Sequence, residues 1–165
     1  MKSWLIAVLV VLVLVLSSFL YKLAKAPVLD YFPIEHKVEP ESSGEPPLYL
    51  FLFFSRNNCS VCLEAIQVLN ELKPPFIVTG IVPGEELKKE DQLRRTTRAK
   101  FKLMGFKESY RRFLPHYQPA LFGIGQGGKI LFVMPGVPGE QAYLYDFLVN
   151  FYGKSLELLI PAAHN

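Results

Sequence analysis

The only two cysteines of the 165-residue chain are Cys59 and Cys62, separated by Ser60 and Val61. Two cysteines at this spacing in the first turn of a helix can close a small disulfide. The unpaired N–H groups and the positive dipole end of that helix stabilise a thiolate on the first cysteine. A thiolate is the species that attacks a disulfide, so Cys59 is the predicted attacking residue, and Cys62 is placed to resolve the mixed disulfide.

Two other roles are open to such a pair, a structural disulfide and half of a zinc site. A structural zinc ion takes four ligands, and the three histidines, His36, His116 and His164, lie scattered without ligand spacing. Redox chemistry is therefore favoured, with no metal site and no organic cofactor. Arg56 lies three residues before Cys59, and we predict that its charge helps to favour the thiolate.

The elements that must position the pair are indicated by the residues on either side of it. Leu48–Phe54 is an uninterrupted apolar run, which is typical of a strand buried on both faces. Four polar residues end this run. Beyond the cysteines, apolar residues recur at helical spacing until Pro74 and Pro75 stop the helix. The sequence thus predicts a strand, a short loop, Cys-x-x-Cys and a helix in direct succession.

The rest of the chain predicts alternating helices and strands, and therefore an α/β domain. Gly125–Gly128 has three glycines in four residues, which favours a hairpin turn with positive φ. The predicted elements are a strand over Phe76–Val82, a charged helix over Glu85–Arg98, a short strand within Phe101–Phe106, a short helix over Glu108–Leu114, strands on both sides of the glycine turn, and a closing helix over Gln141–Tyr152 that ends at Gly153.

The strand, loop, Cys-x-x-Cys and helix resemble the active-site unit of the thioredoxin superfamily. Tyr117–Ile124 resembles that family's cis-proline and following strand, and Ile130–Val133 after the glycine turn resembles its last strand. The resemblance covers about Leu48–Tyr152 and implies a thioredoxin-like fold, a central mixed β-sheet flanked by helices. It also implies that Pro119 lies beside the cysteines and that the backbone of Gln118 pairs with the substrate chain. A trans-proline that starts a strand is the other role open to Pro119.

The segment between the second strand and Pro119 is longer than in a bare thioredoxin, and is similar to the insert of membrane-anchored TlpA-like and ResA-like reductases. Asn58 stands where thioredoxins commonly have a tryptophan, and the dipeptide Ser60-Val61 has no histidine. The missing histidine favours a reductant over an oxidant. The resemblance implies a thiol–disulfide oxidoreductase that reduces extracytoplasmic protein disulfides, as in cytochrome maturation, with a membrane protein as candidate electron donor.

Trp4–Leu20 is a run of seventeen uncharged, mostly apolar residues, at the short end of what spans a bilayer. A cleaved signal peptide would exit at Ala24-Lys25-Ala26, but Pro27 disfavours cleavage, so an uncleaved transmembrane helix is expected. The expected location is the cell membrane, single-pass, with the domain on the extracytoplasmic side, where disulfides persist. The predicted organisation is an anchor or signal segment over 1–26, a linker over 27–47, a thioredoxin-like domain over 48–153 and a tail over 154–165.

Charge is concentrated in one window. The net charge of +3 by itself indicates no nucleic-acid partner, but Lys88–Arg112 holds ten Lys or Arg against three acids. A solvated face is one explanation. Contact with anionic lipid headgroups or with an acidic partner is the other.

Two functions of other classes share the fold. A Sco-like copper-handling assembly protein would use the cysteine pair and a histidine, and His116 precedes Pro119 by three residues. Such proteins usually place three residues between their cysteines, whereas two stand here. A non-catalytic adaptor, in which the disulfide only staples the loop, is the second alternative.

Overall fold

The computed structural model describes residues 12–13, 16–17, 31–33, 45–56, 60–113, 118–138 and 140–159, with the side chains of 60–61 and 156–159 left aside. Cys59, the three histidines and most of the run Trp4–Leu20 lie outside the described residues. Within the described ranges, no helix is both long enough and apolar enough to cross a membrane.

Five strands form one mixed sheet in the order β3-β2-β1-β4-β5. β2 pairs parallel with β1, β3 pairs parallel with β2, and both β1–β4 and β4–β5 are antiparallel. This arrangement, with helices on the sheet, confirms the expected α/β class. The elements in chain order are β1 (Leu48–Phe53), α1 (Ser60–Glu71), β2 (Phe76–Val82), α2 (Gly84–Leu87), α3 (Glu90–Thr97), β3 (Lys102–Gly105), a 3₁₀ helix (Glu108–Phe113), β4 (Ala120–Ile124), a 3₁₀ turn (Gln126–Gly128), β5 (Ile130–Pro135) and α4 (Gln141–Leu159).

The central strand β1 is buried along its whole length, as its apolar run predicts. Successive side chains of a strand point to opposite faces. Leu48, Leu50 and Leu52 therefore enter one core with α1 and α4, while Tyr49, Phe51 and Phe53 enter a second, aromatic core. Because β1 pairs with β2 along one edge and with β4 along the other, it is an interior strand, and its C-terminal end is held on both sides.

The aromatic core includes a residue from the segment that the sequence predicts as linker. Phe32 is 2% exposed, and its ring centroid lies 4.7 Å from that of Phe51 and 5.1 Å from that of Tyr110. Its backbone N–H donates to the carbonyl of Gly128 over 2.7 Å, and Tyr31 forms a β-bridge with Lys129. The chain before β1 therefore seals one face of the sheet.

Two predicted helices differ from the structure. The helix expected over Glu85–Arg98 is divided into α2 and α3. Leu87 and Leu93 both pack against the core, but in one continuous helix of 3.6 residues per turn they would lie about 120° apart. The break between α2 and α3 allows both to face inward.

The helix end expected at Gly153 is wrong, because α4 continues to Leu159. Glycine costs a helix interior only about 1 kcal/mol relative to alanine. Tyr152 and Ser155 are buried on either side of it, at 9% and 4% exposure. Packing of these residues against the domain is enough to continue the helix through the glycine.

Candidate functional site

One end of the sheet gathers most of the residues that the sequence singles out. We call it the loop end: the residues that follow β1 and β2, namely Phe54–Arg56 and Pro83–Glu86, and the residues that precede β4, Gln118 and Pro119. The strand register brings them together, because Phe53 pairs with Ile81 on one side and with Ala120 on the other. From Phe54 the chain runs through the loop to the cysteine pair.

Cys62 lies in the first turn of α1 and is fully buried, at 0% exposure, in the core beneath the loop end. A strand, loop and helix in this order were predicted, and the structure has them. Cys59 directly precedes the first residue of α1 in sequence but lies outside the described residues. Its attack on a disulfide therefore stays a prediction.

The Gln118–Pro119 peptide bond is cis, as the resemblance implies. The carbonyl of Pro119 accepts hydrogen bonds from the N–H groups of Gly136 and Val137, at 3.0 and 3.1 Å. These bonds fix the proline at the start of β4, beside the end of β1. The structure thus brings Gln118 and Pro119 to the strand end that leads to the cysteines, and their contact with a substrate stays a prediction.

Glu86 of α2 holds the loop that precedes the cysteines. Its Oε1 accepts a hydrogen bond from the Ser55 hydroxyl over 2.7 Å, and its Oε2 accepts one from the Arg56 N–H over 2.8 Å. Sequence reasoning missed Glu86, since nothing local signals a partner 30 residues away. The side chain of Arg56 is exposed, and its effect on the Cys59 thiolate stays a prediction.

A cavity of about 290 Å³ opens at the loop end. It lies over the last residues of β1 and β2, and Gln118 is the polar side chain in its lining. The other lining residues include Phe53, Phe54, Val82, Gly84 and Phe106. The site therefore offers an apolar recess next to the position where the resemblance places a bound substrate chain.

No three His, Cys, Asp or Glu side chains within the described ranges stand close enough together to hold a metal ion. His116, on which the copper alternative depends, lies outside those ranges. The two phenols whose pKa is shifted lie away from the loop end. Burial raises the pKa of Tyr49, and burial followed by the charge of Glu45 raises the pKa of Tyr152.

Known proteins resemble this chain in structure rather than in sequence. No family model matches the chain, and none of the curated proteins matches it. Solved structures do match, at low sequence identity.

A thiol:disulfide interchange protein of the thioredoxin family from Chlorobium tepidum superposes with a TM-score of 0.52 at 19% identity, covering 65% of this chain and 81% of that one. A secreted disulfide oxidoreductase of Mycobacterium tuberculosis, homologous to DsbE of E. coli, gives 0.51 at 15% identity, covering 64% and 83%. A thioredoxin-like protein from Porphyromonas gingivalis gives 0.53 at 17%, covering 72% and 82%. These likenesses show that the chain has a thioredoxin-like fold.

Proposed function

We propose that the chain is a thiol–disulfide oxidoreductase that acts on protein disulfides through Cys59 and Cys62. The observation that carries the proposal is the convergence at the loop end. There the register of β1 with β4 sets Gln118 and Pro119 beside the strand that leads to the pair, and Cys62 is buried in the first turn of α1 beneath it. The similar structures named as disulfide oxidoreductases support the same activity.

The reaction proceeds in two exchanges. The Cys59 thiolate attacks one sulfur of the client disulfide, forms a mixed disulfide and releases the other client sulfur as a thiolate. The Cys62 thiolate then attacks the Cys59 sulfur and releases the second client thiolate, which leaves a Cys59–Cys62 disulfide. The client gains two electrons and two protons overall, and a separate protein dithiol must reduce the pair again.

Gln118 orients the client in this scheme. Proline has no N–H, and the carbonyl of Pro119 already accepts bonds from Gly136 and Val137. Pairing with the client backbone therefore falls to Gln118, in the manner of an added strand. The apolar cavity beside it takes a client side chain near the disulfide, so the preferred client has an apolar residue flanking its cysteine.

The direction of electron transfer and the cellular location that we propose are those that the sequence predicts. A reductant of extracytoplasmic disulfides, as in cytochrome maturation, is the role we propose. The apolar run Trp4–Leu20 is its anchor in the cell membrane, and a membrane protein is its electron donor. The interaction partners are proteins and the membrane, and nucleic acid has no part in the scheme.

The reduction potential of the pair in the full chain, held in detergent and equilibrated in glutathione or dithiothreitol buffers, tests the proposal. A value near −270 mV or lower is expected for a reductant, whereas a value towards −120 mV would mark an oxidant. A pair that does not cycle reversibly would overturn the oxidoreductase proposal. Cys62→Ser should accumulate the mixed disulfide with a client, and the double Cys59→Ser/Cys62→Ser variant, which cannot exchange, is its control.

A further inference from the structure

Among the described residues, cations and acids are distributed unequally between the two ends of the sheet. Opposite the loop end lies what we call the linker end: the starts of β1 and β2, the 3₁₀ turn Gln126–Gly128 and the last turns of α4. The chain comes into the domain here, since Glu45–Pro47 leads into β1 and Tyr31 is bridged to Lys129 next to that turn.

Exposed cations collect at the linker end. Lys73 lies between α1 and β2. The Arg98 carbonyl accepts a hydrogen bond from Asn70 Nδ2 at 2.9 Å, and the Lys100 N–H donates to Asn70 Oδ1 at 2.8 Å, which ties both to the last turn of α1. This side of the end therefore presents three cations, Lys73, Arg98 and Lys100.

The other side of the linker end is basic as well. Lys129 immediately precedes β5 and is exposed. Lys154 follows Tyr152, whose hydroxyl donates to the carbonyl of Pro46 at 3.0 Å and so marks the level at which the chain reaches β1. Of the acids whose side chains the structure describes, Glu45 and Glu71 lie at this end.

The charges at and beside the loop end balance. The carboxylates are Glu85, Glu86, Glu90, Asp91, Glu108 and Glu140, and the cations are Arg56, Lys88, Lys89, Lys107 and the two arginines paired with these acids, Arg94 and Arg111. The ion pairs within the described ranges are Lys88–Glu85, Arg94–Glu90 and Arg111–Glu108. None of them engages a cation of the linker end, so among the described side chains no ion pair neutralises these cations.

The spread of the cations indicates the kind of partner. Lys100 lies two residues before β3 at one edge of the sheet and Lys129 adjoins β5 at the other, and strands about 4.8 Å apart make that separation about 20 Å. A single phosphate would need its donors to converge on one point. A row of this width instead suits an extended anionic surface.

The position of the tether selects the membrane as that surface. Ten residues, 21–30, separate the apolar run from Tyr31, and they can span at most about 35 Å. Because Tyr31 is fixed at the linker end, a chain anchored through Trp4–Leu20 enters the domain at this end and keeps it within about 35 Å of the lipid. The basic end and the tether therefore face the same way.

We propose that the linker end binds anionic lipid headgroups and holds the loop end, with its cysteines, away from the membrane. This inference rests on the anchored oxidoreductase proposed above. The attraction acts over about a Debye length, roughly 10 Å at 0.1 M salt, so it weakens as salt is added.

Lysine acylation of the full chain reconstituted into vesicles tests the proposal. One set of vesicles contains phosphatidylcholine alone, and the other contains phosphatidylglycerol in addition. We expect acylation of Lys73, Lys100 and Lys129, measured by mass spectrometry, to fall at least threefold in the anionic vesicles at low salt and to recover at 0.5 M salt. Lys88 and Lys89 at the loop end are internal controls and should react equally in both sets.

Two variants sharpen the test. Arg98→Glu/Lys100→Glu should remove the protection of Lys73 in the anionic vesicles, whereas the matched variant Lys88→Glu/Lys89→Glu should leave it unchanged. Equal acylation of the linker-end lysines in both vesicle sets would overturn the proposal. Equally low acylation would mean that another part of the chain covers these lysines. Equally high acylation would make an acidic protein the better candidate partner.

The same samples separate this proposal from the proposed function. Disulfide exchange assayed in the two vesicle sets reports on the cysteine pair, and carbonate extraction of the neutral vesicles reports on the anchor. A chain that shows the lysine protection but no exchange would refute the oxidoreductase and retain the surface. If carbonate extracts the chain from the vesicles, the anchor is refuted. Protection of the linker-end lysines by anionic vesicles added from solution would then test lipid binding by this end without the anchor.

Discussion

At the scale of single residues, one carboxylate, that of Glu86, holds the loop that leads to the proposed redox pair. Its two oxygens bind Ser55 and Arg56 across 31 and 30 residues of sequence. Hydrogen bonds to a charged acceptor are stronger than neutral ones, although solvent weakens these because the site is only partly buried. The loop that carries the chain from β1 to Cys59 is thereby tied to α2.

Glu86→Ala should lower the free energy of unfolding by about 1 kcal/mol, since two hydrogen bonds of a partly exposed group are lost. It should also slow disulfide exchange several-fold, because the loop is no longer held. Urea unfolding and a dithiol exchange assay measure the two effects. Glu85→Ala is the matched control: the Lys88–Glu85 ion pair is largely exposed, so neither quantity should change, and an equal effect of both variants would contradict the role of Glu86.

Gly84 offers a way to fill the cavity without disturbing the fold. A Cβ built at this position meets no atom within 4 Å. Gly84→Val should therefore narrow the recess and raise the KM for a protein client about tenfold, the effect of a poorly fitting apolar group in a pocket. The rate with a small disulfide that does not occupy the recess should stay the same. Equal KM values for variant and parent would show that clients do not use the cavity.

At the scale of elements, α4 shows that a glycine which would end an isolated helix can lie inside one held by its neighbours. The helix packs Leu144 and Leu148 fully into the core. Tyr152 lies against the ring of Phe76 at 5.4 Å between centroids, and its hydroxyl binds Pro46. Beyond Gly153, Ser155 is also buried, at 4% exposure.

Gly153→Ala should raise the free energy of unfolding by about 0.5–1 kcal/mol, because alanine loses less backbone entropy in a helix and a Cβ at this position meets no atom within 4 Å. Thermal and urea unfolding measure the gain. Gly123→Ala is the contrasting variant: its Cβ would overlap the ring of Phe132, so this variant should lose stability. A loss at Gly153→Ala would mean that the helix does not continue there.

At the scale of the whole molecule, residues 31–33, which precede β1 in the chain, cover part of the aromatic face of the sheet. Phe32 lies in the aromatic core with Phe51, Tyr110 and Phe113. Arg112 stacks over the ring of Phe113 at 4.7 Å and donates to the carbonyl of Tyr31 at 3.3 Å. The segment that the sequence predicts as linker therefore contributes a residue to the core of the domain.

Phe32→Ala should destabilise the domain by about 3–5 kcal/mol, the usual cost of removing a buried phenylalanine. The urea midpoint of the full chain measures it. Tyr31→Ala, next to it and 61% exposed, should change stability little because its backbone bridge is retained. If Phe32→Ala were as mild as Tyr31→Ala, the segment would be a loose tether.

Alkaline pH should weaken the linker end. The raised pKa of Tyr152 in the folded protein, caused by burial and then by Glu45, means that the unfolded chain releases this proton first. The stability that this tyrosine contributes is therefore present below pH 10 and lost as pH rises through its folded pKa. Tyr152→Phe should reduce the alkaline loss of stability measured by urea unfolding between pH 8 and 11, and an unchanged pH profile would contradict this assignment. Burial also raises the pKa of Tyr49, which therefore contributes to the loss that remains in this variant.

The sequence by itself determined the features that depend on neighbouring residues. The boundaries of β2, the double-sided burial of β1 and the helix that follows the cysteine spacing were all predicted. An apolar run, a proline pair and a glycine turn each act over a few residues, so one sequence is enough to recognise them. The position of Pro119 was predicted only through the resemblance, because a proline's spatial neighbours are not written next to it.

Only the tertiary structure decided what joins distant parts of the chain. The bonds of Glu86 to the loop, the insertion of Phe32 into the aromatic core and the continuation of α4 past Gly153 each depend on contacts between residues that are far apart in sequence. The basic window of the sequence likewise does not form one face: its lysines and arginines are divided between the two ends of the sheet by the parallel run of β2 and β3 and the helices between them. Local pattern sets which elements form, whereas packing and charge across the folded sheet set what each end of the molecule can contact.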